Sequence, residues 1–390
     1  MTHPANETAS LPEARDDRPF RRWLATALAV PMTAIDLRQI AGDASPRRYF
    51  RATCSLNNTD DSGLDLQDTP ASAGALAASP HSCNADSWIA VTSPPSENNA
   101  AFLAVQQMLD AAGLVVPAQY ANDLDQGFFL MEDFGDVLLA SQLTADAVDR
   151  HYEHALSELR KIARIPIESV ALPHFDAARI EDELSVFPEW FVCAHLGLGG
   201  ETLADDLWGK LSTFLTDVFL NQPQCVVHRD FHSRNIMCLA DERLGLIDFQ
   251  DAVMGPITYD PVSLLKDCYL QWPRSDQLRW LEAHRQALLT AGVAVPDEQD
   301  FIRDFDLVGL QRHLRVLGVF ARLCLRDAKP AYLNDLPLVL AYTREAMRLY
   351  AGEPAVAAFA AWFEDVVMPR VGAQSWYQRA ALAPGAKGAR

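Results

Sequence analysis

Two short segments of the 390-residue chain carry side chains whose types and spacing suit phosphoryl transfer. One is CVVHRDFHSRNIM, an apolar run followed by Asp230 and, five residues later, Asn235. The other is LGLIDFQDAVMGPITYDP, in which Asp248 directly follows a second apolar run. Phosphoryl transfer requires a carboxylate that orients the attacking hydroxyl and oxygen ligands that hold Mg²⁺ against a triphosphate. Aspartate and asparagine supply such oxygens, whereas cysteine and histidine suit other metals.

The spacing of the two segments predicts that their polar side chains meet. Each apolar run is expected to form a short strand, so Asp230 and Asn235 share one loop and Asp248 lies just beyond the next hairpin. Either segment alone could be an accidental tripeptide or an ordinary turn after a strand. Both together, in this order and at hairpin spacing, indicate a shared phosphate site.

The predicted elements around these segments form a β-rich first part and a mainly helical second part. The first part is predicted to contain helices at 19–30 and 97–112 and strands at 35–40, 49–54, 88–91, 115–119 and 127–131. The second is predicted to contain helices at 145–164, 178–196, 201–220, 260–271, 276–291, 297–325, 332–350 and 353–367, with strands at 225–227, 236–239 and 244–247. The predicted domains are a disordered tail at 1–18, an N-terminal lobe at 19–133 with a low-complexity insertion at 55–87, a C-terminal lobe at 134–372 with the catalytic and substrate sites, and a tail at 373–390.

Composition excludes several classes of partner. The net charge of −19 argues against nucleic acid or an anionic membrane as partner, since both need clustered Lys and Arg. The sequence contains no apolar stretch long enough to span a bilayer, and its first residues lack the pattern of a secretory signal. The seven cysteines are odd in number and form no CxxC pair, which indicates free thiols in a reducing cytoplasm. Nothing in the sequence determines the oligomeric state.

The segments HRDFHSRNIM and IDFQDAVMGPITYDPVSLL resemble the catalytic and metal-binding segments of the aminoglycoside phosphotransferase / choline kinase-like family. The family pattern is HxDxxxxN, then IDF or IDW, then GxxxxD. The resemblance implies an α+β, bilobal, protein-kinase-like fold with a small β-rich N-lobe and a larger, mainly helical C-lobe. It also implies that Asp230 is the base and that Asn235 and Asp248 are Mg²⁺ ligands. His228 and Asp260 would support the catalytic loop.

Further segments are similar to those of the family's anomeric sugar kinases, which act on N-acetylmuramate and N-acetylglucosamine in cell-wall recycling. These segments are GDASPRRYFR, PPSEN, FPEWF and DFQDAVMGPITYDPVSLLKDCYLQWP. The resemblance implies phosphorylation of the sugar C1 hydroxyl with ATP as co-substrate. One alternative is a phosphotransferase acting on an aminoglycoside or another small hydroxyl compound, with the acidic lobe binding a polycation. A second alternative is a nucleotide-binding module without turnover.

The N-terminal part departs from a kinase template in its basic residues. Kinases pair a lysine on the third strand with a glutamate on the next helix, but this chain has no lysine before Lys161, which leaves Glu97 without that partner. It has no GxGxxG loop either. One hypothesis is an inactive domain. The other, which we favour because the catalytic side chains are kept together, is that backbone N–H groups at 43–46, including Ser45, hold the phosphates with help from Arg47 or Arg48. Both arginines could equally be solvated turn residues.

The nucleotide base is expected at FFLMEDFGD, where a kinase-like hinge belongs. There the backbone C=O and N–H groups of Glu132 and Phe134 would read the adenine edge.

Sugar binding is expected to involve an aromatic face and carboxylates. Glu189 and Trp190 in FPEWF are the first candidates, although aromatic residues at helical spacing are more often core residues. Asp267 and Trp272 are the second candidates. Arg234 could bind a phosphate or a lactyl carboxylate, or form a salt bridge within the loop.

Overall fold

The computed structural model describes residues 17–40, 46–55, 87–167 and 171–382, and these residues form two compact units. The first unit extends to Ala100 and resumes at Ala118–Asp133, and the second comprises Ala101–Pro117 and the chain from Phe134 onward. The predicted boundary between residues 133 and 134 coincides with a boundary between the units. Residues 101–117, predicted as part of the N-terminal lobe, belong instead to the second unit.

The first unit is built on a five-stranded antiparallel sheet with strand order β1-β2-β3-β5-β4. Its strands are β1 (Ile35–Gln39), β2 (Arg48–Cys54), β3 (Ser87–Thr92), β4 (Gln119–Asp123) and β5 (Phe128–Glu132). Helix α1 (Arg18–Leu28) precedes the sheet, and helix α2 (Asn99–Ala111) begins in this unit and continues in the second.

The core of the first unit lies between α1 and one face of the sheet. Phe20, Leu24 and Leu28 recur every four residues, so they form one buried stripe on the helix. Phe50 and Ala52 alternate with more exposed residues along β2, as expected for a strand with one face buried. The ring centroids of Phe20 and Phe50 lie 5.7 Å apart. This packing holds β2, which begins at Arg48, directly after Arg47 of the predicted phosphate turn.

The second unit is mainly helical. Its helices are α3 (Val148–Ala163), α4 (Ala177–Val186), α5 (Asp205–Leu220), α6 (Tyr259–Leu265), α7 (Arg274–Thr290), α8 (Glu298–Leu325), α9 (Leu336–Leu349), α10 (Pro354–Trp362), α11 (Met368–Gly372) and α12 (Ser375–Leu382), with π-helical segments at Phe187–His195 and Phe363–Val367. Its strands are β6 (Gln224–Val227), β7 (Ile236–Cys238), β8 (Leu244–Leu246) and β9 (Val253–Pro256). Strand β6 pairs with β9 and β7 with β8, both antiparallel. Helix α8 is largely buried and packs against the first π-helical segment, so it forms the centre of this unit.

Two strands differ from the sequence-based prediction. Strand β9 is absent from that prediction because VMGP contains glycine and proline, yet it forms because it is fully buried against β6. Strand β4 begins at Gln119, where the predicted strand 115–119 ends. Val115 instead makes a single bridge to Gly245.

Two helices also differ. Helix α6 ends at Leu265 rather than at 271, because the Asp267 carboxylate accepts the Tyr269 N–H at 3.0 Å and so ends the helical pattern. Helix α12 lies within the predicted C-terminal tail, where Trp376 is buried and its Nε1 donates to His195 Nε2 at 3.0 Å.

The predicted tail 1–18 and the insertion 55–87 lie almost entirely outside the described residues. None of the described helices combines the length and apolar character needed to cross a membrane.

Candidate active site

The loop that carries Asp230, the predicted base, runs from the end of β6 to the start of β7 in the second unit, and we call residues 228–235 the catalytic loop. Asp248 follows β8 by two residues. Both strand pairs are short and almost entirely buried, so they fix both ends of the loop. Arg229 and Asp248 have left-handed φ angles of 74° and 63°. Such angles are costly for residues with a Cβ and persist where the surrounding structure enforces them, often at functional sites.

Two buried aspartates hold the loop through its backbone. Asp260, at the start of α6, accepts the His228 N–H at 2.7 Å and the Arg229 N–H at 3.0 Å. Asp267 accepts the N–H of Ser233 at 3.1 Å and its hydroxyl at 2.5 Å. The two carboxylates therefore anchor the loop on either side of Asp230. Burial raises the pKa of Asp260 to about 7, although both amide donors favour its ionised form.

In the predicted phosphate site the side chains of Asn235 and Asp248 are hydrogen-bonded to each other, and the Asp230 carboxylate is near enough to raise the pKa of Asp248. Asn235 Nδ2 donates to Asp248 Oδ2 at 3.2 Å and to the backbone carbonyl of Asp230 at 3.1 Å. Gln250 Nε2 donates to Asp248 Oδ1 at 2.8 Å. Since Asn235 uses its nitrogen in these bonds, its Oδ1 is the atom that could face a metal ion.

The oxygens of Asn235 and Asp248 suit Mg²⁺ as two of its six ligands. The described residues contain no group of three or more His, Cys, Asp and Glu that could hold a metal. Mg²⁺ in phosphoryl-transfer sites is commonly bound through one or two protein oxygens, with phosphates and water completing its octahedron. Asn235 and Asp248 match that pattern, whereas a zinc site would need more nitrogen or sulfur ligands.

The electrostatics keep Asp230 ionised. Burial alone would raise the pKa of this carboxyl, but the positive charges of Arg315, Arg229 and Arg312 favour its ionised form, and the pKa is lowered. The pKa of Asp248 is raised, first because protein atoms displace water around its carboxylate and second because Asp230 is negative. The side chain of Asp248 still reaches solvent. A divalent cation beside it would relieve the repulsion between the two carboxylates.

His228 is buried next to the loop, and burial lowers its pKa to about 4. It is therefore neutral at physiological pH and contributes packing, with its ring 5.8 Å from that of Phe231. His228 therefore adds no positive charge beside Asp230, and its predicted role in supporting the loop would be one of packing.

A layer of arginines lies beneath the loop and is absent from the sequence-based prediction. Glu183 of α4 pairs with Arg229 and, at 3.4 Å, with Arg315 of α8. Arg312, one turn earlier on α8, is 2% exposed, and its Nε and Nη1 have no hydrogen-bond partner within the described ranges. The available signal was the presence of arginines in the otherwise apolar stretch QRHLRVLGVFARL, because a buried arginine needs a nearby negative charge.

An aromatic pair fixes the segment that carries Asp248. Phe249 stacks on Phe102 of α2 with ring centroids 5.2 Å apart, and both side chains are buried. Because Phe249 is the next residue, this contact restricts the direction of the Asp248 side chain.

In the first unit, Glu97 has an arginine partner where the kinase template has a lysine. Arg47 Nη1 lies 3.1 Å from Glu97 Oε2, and Arg47 is 6% exposed. Glu97 precedes α2 rather than lying on it, since the helix begins at Asn99. Glu97 therefore lacks the lysine of the kinase template but is still paired, because the longer, forked side chain of Arg47, just before β2, lies in contact with it.

Arg48 has different neighbours. It donates to Asp17 at 2.7 Å and to Thr92 Oγ1 at 3.3 Å, with its guanidinium 5.1 Å from the centre of the Phe50 ring. Ser45 lies outside the described residues. In the kinase template a glutamate positions the cation that binds phosphate. Glu97 pairs with Arg47 and not with Arg48, so Arg47 is the better candidate.

Glu132 and Phe134 flank the point where the chain passes from the first unit to the second. Within the first unit, Glu132 Oε2 accepts the Ala118 N–H at 3.2 Å. Within the second, the ring of Phe134 covers Gly245, where a Cβ would lie 2.5 Å from a ring carbon. The roles of their backbone groups in binding the base stay a prediction.

The five predicted sugar-binding residues occupy two kinds of position. Glu189 and Arg234 are exposed and Trp190 is half-buried, so all three are accessible to a ligand. Trp272 is buried, and its Nε1 donates to Tyr152 Oη at 3.0 Å. Asp267 is buried as well, with Oδ2 accepting from Ser233 and Oδ1 from the Tyr269 N–H, so it holds the loop from the interior, while Trp272 is a core residue.

Known proteins resemble this chain in sequence over most of its length. The model of the phosphotransferase enzyme family, APH, matches residues 36–300. A Pseudomonas aeruginosa protein named N-acetylmuramate/N-acetylglucosamine kinase is 36% identical over 80% of this chain and 84% of its own length. A Neisseria meningitidis protein of the same name is 34% identical over 85% of this chain and 91% of its own length.

Two solved structures share the fold at low sequence identity. The choline kinase of Streptococcus pneumoniae aligns with a TM-score of 0.54 at 12% identity, covering 84% of this chain and 99% of its own. An ethanolamine kinase of Plasmodium vivax aligns with a TM-score of 0.55 at 10% identity, covering 86% and 96%. The predicted α+β, protein-kinase-like fold class is thus confirmed. With the family match spanning most of the chain and relatives above 30% identity along most of their length, this protein belongs to the APH phosphotransferase enzyme family.

Proposed function

We propose that this chain is an ATP-dependent kinase that phosphorylates the C1 hydroxyl of N-acetylmuramate, N-acetylglucosamine or both in cell-wall recycling. The observation that carries the proposal is the contact of Asn235 with the Asp248 carboxylate and with the backbone carbonyl of Asp230. The names of the relatives support the choice of acceptor. The described cysteines are free thiols, which is consistent with the reducing cytoplasm expected from the sequence.

Asp230 would accept a hydrogen bond from the C1 hydroxyl and align it for in-line attack. The lowered pKa of Asp230 keeps it ionised, so it can act at physiological pH. The anomeric hydroxyl is more acidic than an ordinary sugar alcohol, so a weakly basic carboxylate is sufficient. Positioning supplies much of the rate in this class of reaction, because the transition state is loose and needs little proton removal.

Asn235 and Asp248 would hold Mg²⁺. When bound there, the ion would neutralise negative charge on the triphosphate oxygens. Phe249 and Gln250 keep the Asp248 carboxylate directed toward this position through the stacking contact and the 2.8 Å hydrogen bond.

Arg47 would hold a phosphate of the nucleotide in place of the missing lysine. It is ion-paired with Glu97, the glutamate that positions the phosphate-binding cation in the kinase template, and a guanidinium binds phosphate oxygens through charge-assisted hydrogen bonds. Glu132 and Phe134 would bind the base through their backbone groups.

Glu189, Trp190 and Arg234 are the proposed contacts to the sugar. Trp190 offers an aromatic face to ring C–H groups, and Glu189 can accept hydrogen bonds from hydroxyls. The arginine layer of the second unit argues against a polycationic acceptor such as an aminoglycoside, since like charges close to one another are unfavourable.

A parallel acceptor assay tests the function. The purified protein is given ATP and Mg²⁺ with N-acetylmuramate, N-acetylglucosamine or kanamycin, and products are identified by ³¹P NMR. We expect a sugar 1-phosphate from at least one amino sugar and none from kanamycin. Phosphorylation of kanamycin alone would assign the protein to antibiotic modification. ATP binding without any product would support a binding module instead.

A further inference from the structure

Helix α8 carries charged and aromatic residues beneath the catalytic loop over two turns. Arg315 is the strongest positive influence on the Asp230 carboxylate. Phe320 stacks on Tyr269, and Tyr269 meets the His232 ring edge-on, with centroids 6.4 Å and 5.6 Å apart. The segment from Arg315 to Phe320 therefore lies against the loop that carries the proposed base.

Arg322 continues this face of the helix. It follows Arg315 by seven residues, so the two side chains point in nearly the same direction about 10 Å apart along the axis. This separation is comparable to the length of one hexose with a substituent. A sugar whose C1 hydroxyl meets Asp230 could therefore bring a substituent near Arg322.

Arg322 differs from its neighbours in having no partner for its charge. Its Nε is buried without a hydrogen-bond partner, and no carboxylate of the described residues forms an ion pair with it. Arg315 pairs with Glu183. Arg326, one turn further, is bound by both oxygens of Asp327 at 2.7 and 2.9 Å.

The surroundings of Arg322 favour an anion. Burial, Arg326 and Arg315 together lower its pKa, and the opposing influences of Asp327 and Glu189 are smaller. An anion bound beside Arg322 would offset the cost of burying its charge. A half-buried guanidinium with free donors binds a carboxylate well, because the paired bonds match its planar fork.

The first π-helical segment is held close to this part of α8. Gly318 allows the approach, since a Cβ there would lie 2.3 Å from the Val186 carbonyl oxygen. Glu189 and Trp190 lie on that segment. The Glu189 carboxylate is near enough to Arg322 to influence its pKa. The proposed sugar contacts and Arg322 therefore belong to one packed pair of helices.

We propose that Arg322 binds the lactyl carboxylate that N-acetylmuramate carries on its C3 oxygen and that N-acetylglucosamine lacks. The inference rests on the proposed function and assigns a residue that selects between its two acceptors. Arg234 is the weaker candidate, because its guanidinium already lies flat on Tyr269 at 3.4 Å from the ring centre.

Substitution of Arg322 tests the inference. In Arg322→Gln we expect kcat/KM for N-acetylmuramate to fall about 10- to 100-fold, the range for a lost charge-assisted hydrogen bond. For N-acetylglucosamine we expect a change below about 2-fold, which also shows that the variant is folded. Arg322→Lys should recover part of the loss. Arg326→Gln is the matched control, because it removes the same charge from the same helix at a residue already paired with Asp327, and it should change neither value.

Each contrary result has a distinct meaning. An equal loss for both sugars, or no loss for either, would overturn the role of Arg322 while leaving the kinase function intact. A loss specific to N-acetylmuramate in Arg234→Gln but not in Arg322→Gln would assign the carboxylate to Arg234. Failure of the unsubstituted protein to phosphorylate either sugar would overturn the proposed function itself.

Discussion

The catalytic loop around Asp230 and the turn around Arg47 are both expected to handle phosphate, but they are held in different ways. Two buried aspartates, Asp260 and Asp267, anchor the backbone of the loop at its two sides. In the turn, an ion pair with Glu97 holds the Arg47 side chain. The loop thus uses side chains that few other residue types could replace, whereas the turn uses a cation whose identity can change.

This difference explains which region can be recognised in the sequence. A base and a metal ligand must be particular residue types at a particular spacing, so HRD, Asn235 and IDF form a readable pattern. Phosphate can instead be held by backbone N–H groups or by either basic residue, so no fixed pattern is needed. The absence of a lysine then has no bearing on whether the loop is functional.

The largest expected effect comes from the loop. Asp230→Asn keeps the shape of the side chain but removes the charge that orients the hydroxyl, so kcat should fall by about 10²- to 10⁴-fold. A coupled ATP assay with the preferred sugar measures it. Asp241→Asn makes the same chemical change at an exposed residue paired with Arg243 and should leave the rate unaltered. A rate within about threefold of the unsubstituted protein in Asp230→Asn would remove Asp230 from the mechanism.

Loss of a metal ligand should be nearly as severe. Asp248→Asn removes one of two proposed protein ligands, so we expect kcat to fall on the order of 100-fold. The Mg²⁺ concentration needed for half the maximal rate should also rise by about 10-fold or more. Titration of Mg²⁺ at fixed ATP measures both. An unchanged Mg²⁺ requirement would show that the ion is bound elsewhere.

The turn should show a smaller effect that separates its two arginines. Arg47→Met should raise the KM for ATP by about 10-fold, the cost of one charge-assisted hydrogen bond. Arg48→Met should change it by less than about 2-fold, because Arg48 is engaged with Asp17 and Thr92. Steady-state kinetics over a range of ATP concentrations distinguish them. Equal effects, or a larger one for Arg48, would reverse the assignment.

The smallest expected effect is a shift in pH dependence. The charge of Arg315 contributes to the lowered pKa of Asp230, so the unsubstituted protein should keep its active, ionised form to low pH. Arg315→Gln raises that pKa, and the acidic limb of kcat/KM should therefore move to higher pH. A profile between pH 4 and 8 measures the movement. A limb that stays in place or moves to lower pH would show that Arg315 does not act on Asp230.

Much of the fold and the centre of the site could be predicted from sequence. The order of strands and helices follows from apolar periodicity, and Asp230, Asn235 and Asp248 follow from chemistry that restricts residue type. Strand β9 could not be predicted from the sequence, because its formation depends on burial against β6, which is distant along the chain. The sequence of residues 56–86 has no periodicity from which structure could be argued.

The arginine layer and the role of Asp267 could not be predicted either, because both depend on packing between segments that are distant in the sequence. Arg312 and Arg315 lie about 80 residues beyond the loop, and only helix packing brings them beneath it. Asp267 is a predicted sugar contact that lies within the predicted helix 260–271. The actual helix ends at Leu265, which turns the carboxylate inward to the Ser233 N–H.

A crystal structure with ADP and Mn²⁺ in place of Mg²⁺ tests directly whether one ion is held by this group of side chains. The anomalous signal of manganese locates the ion independently of its surroundings. We expect a peak within about 2.0–2.3 Å of both Asn235 Oδ1 and an Asp248 carboxylate oxygen. A peak that touches neither residue in a nucleotide-bound crystal would contradict the proposed site.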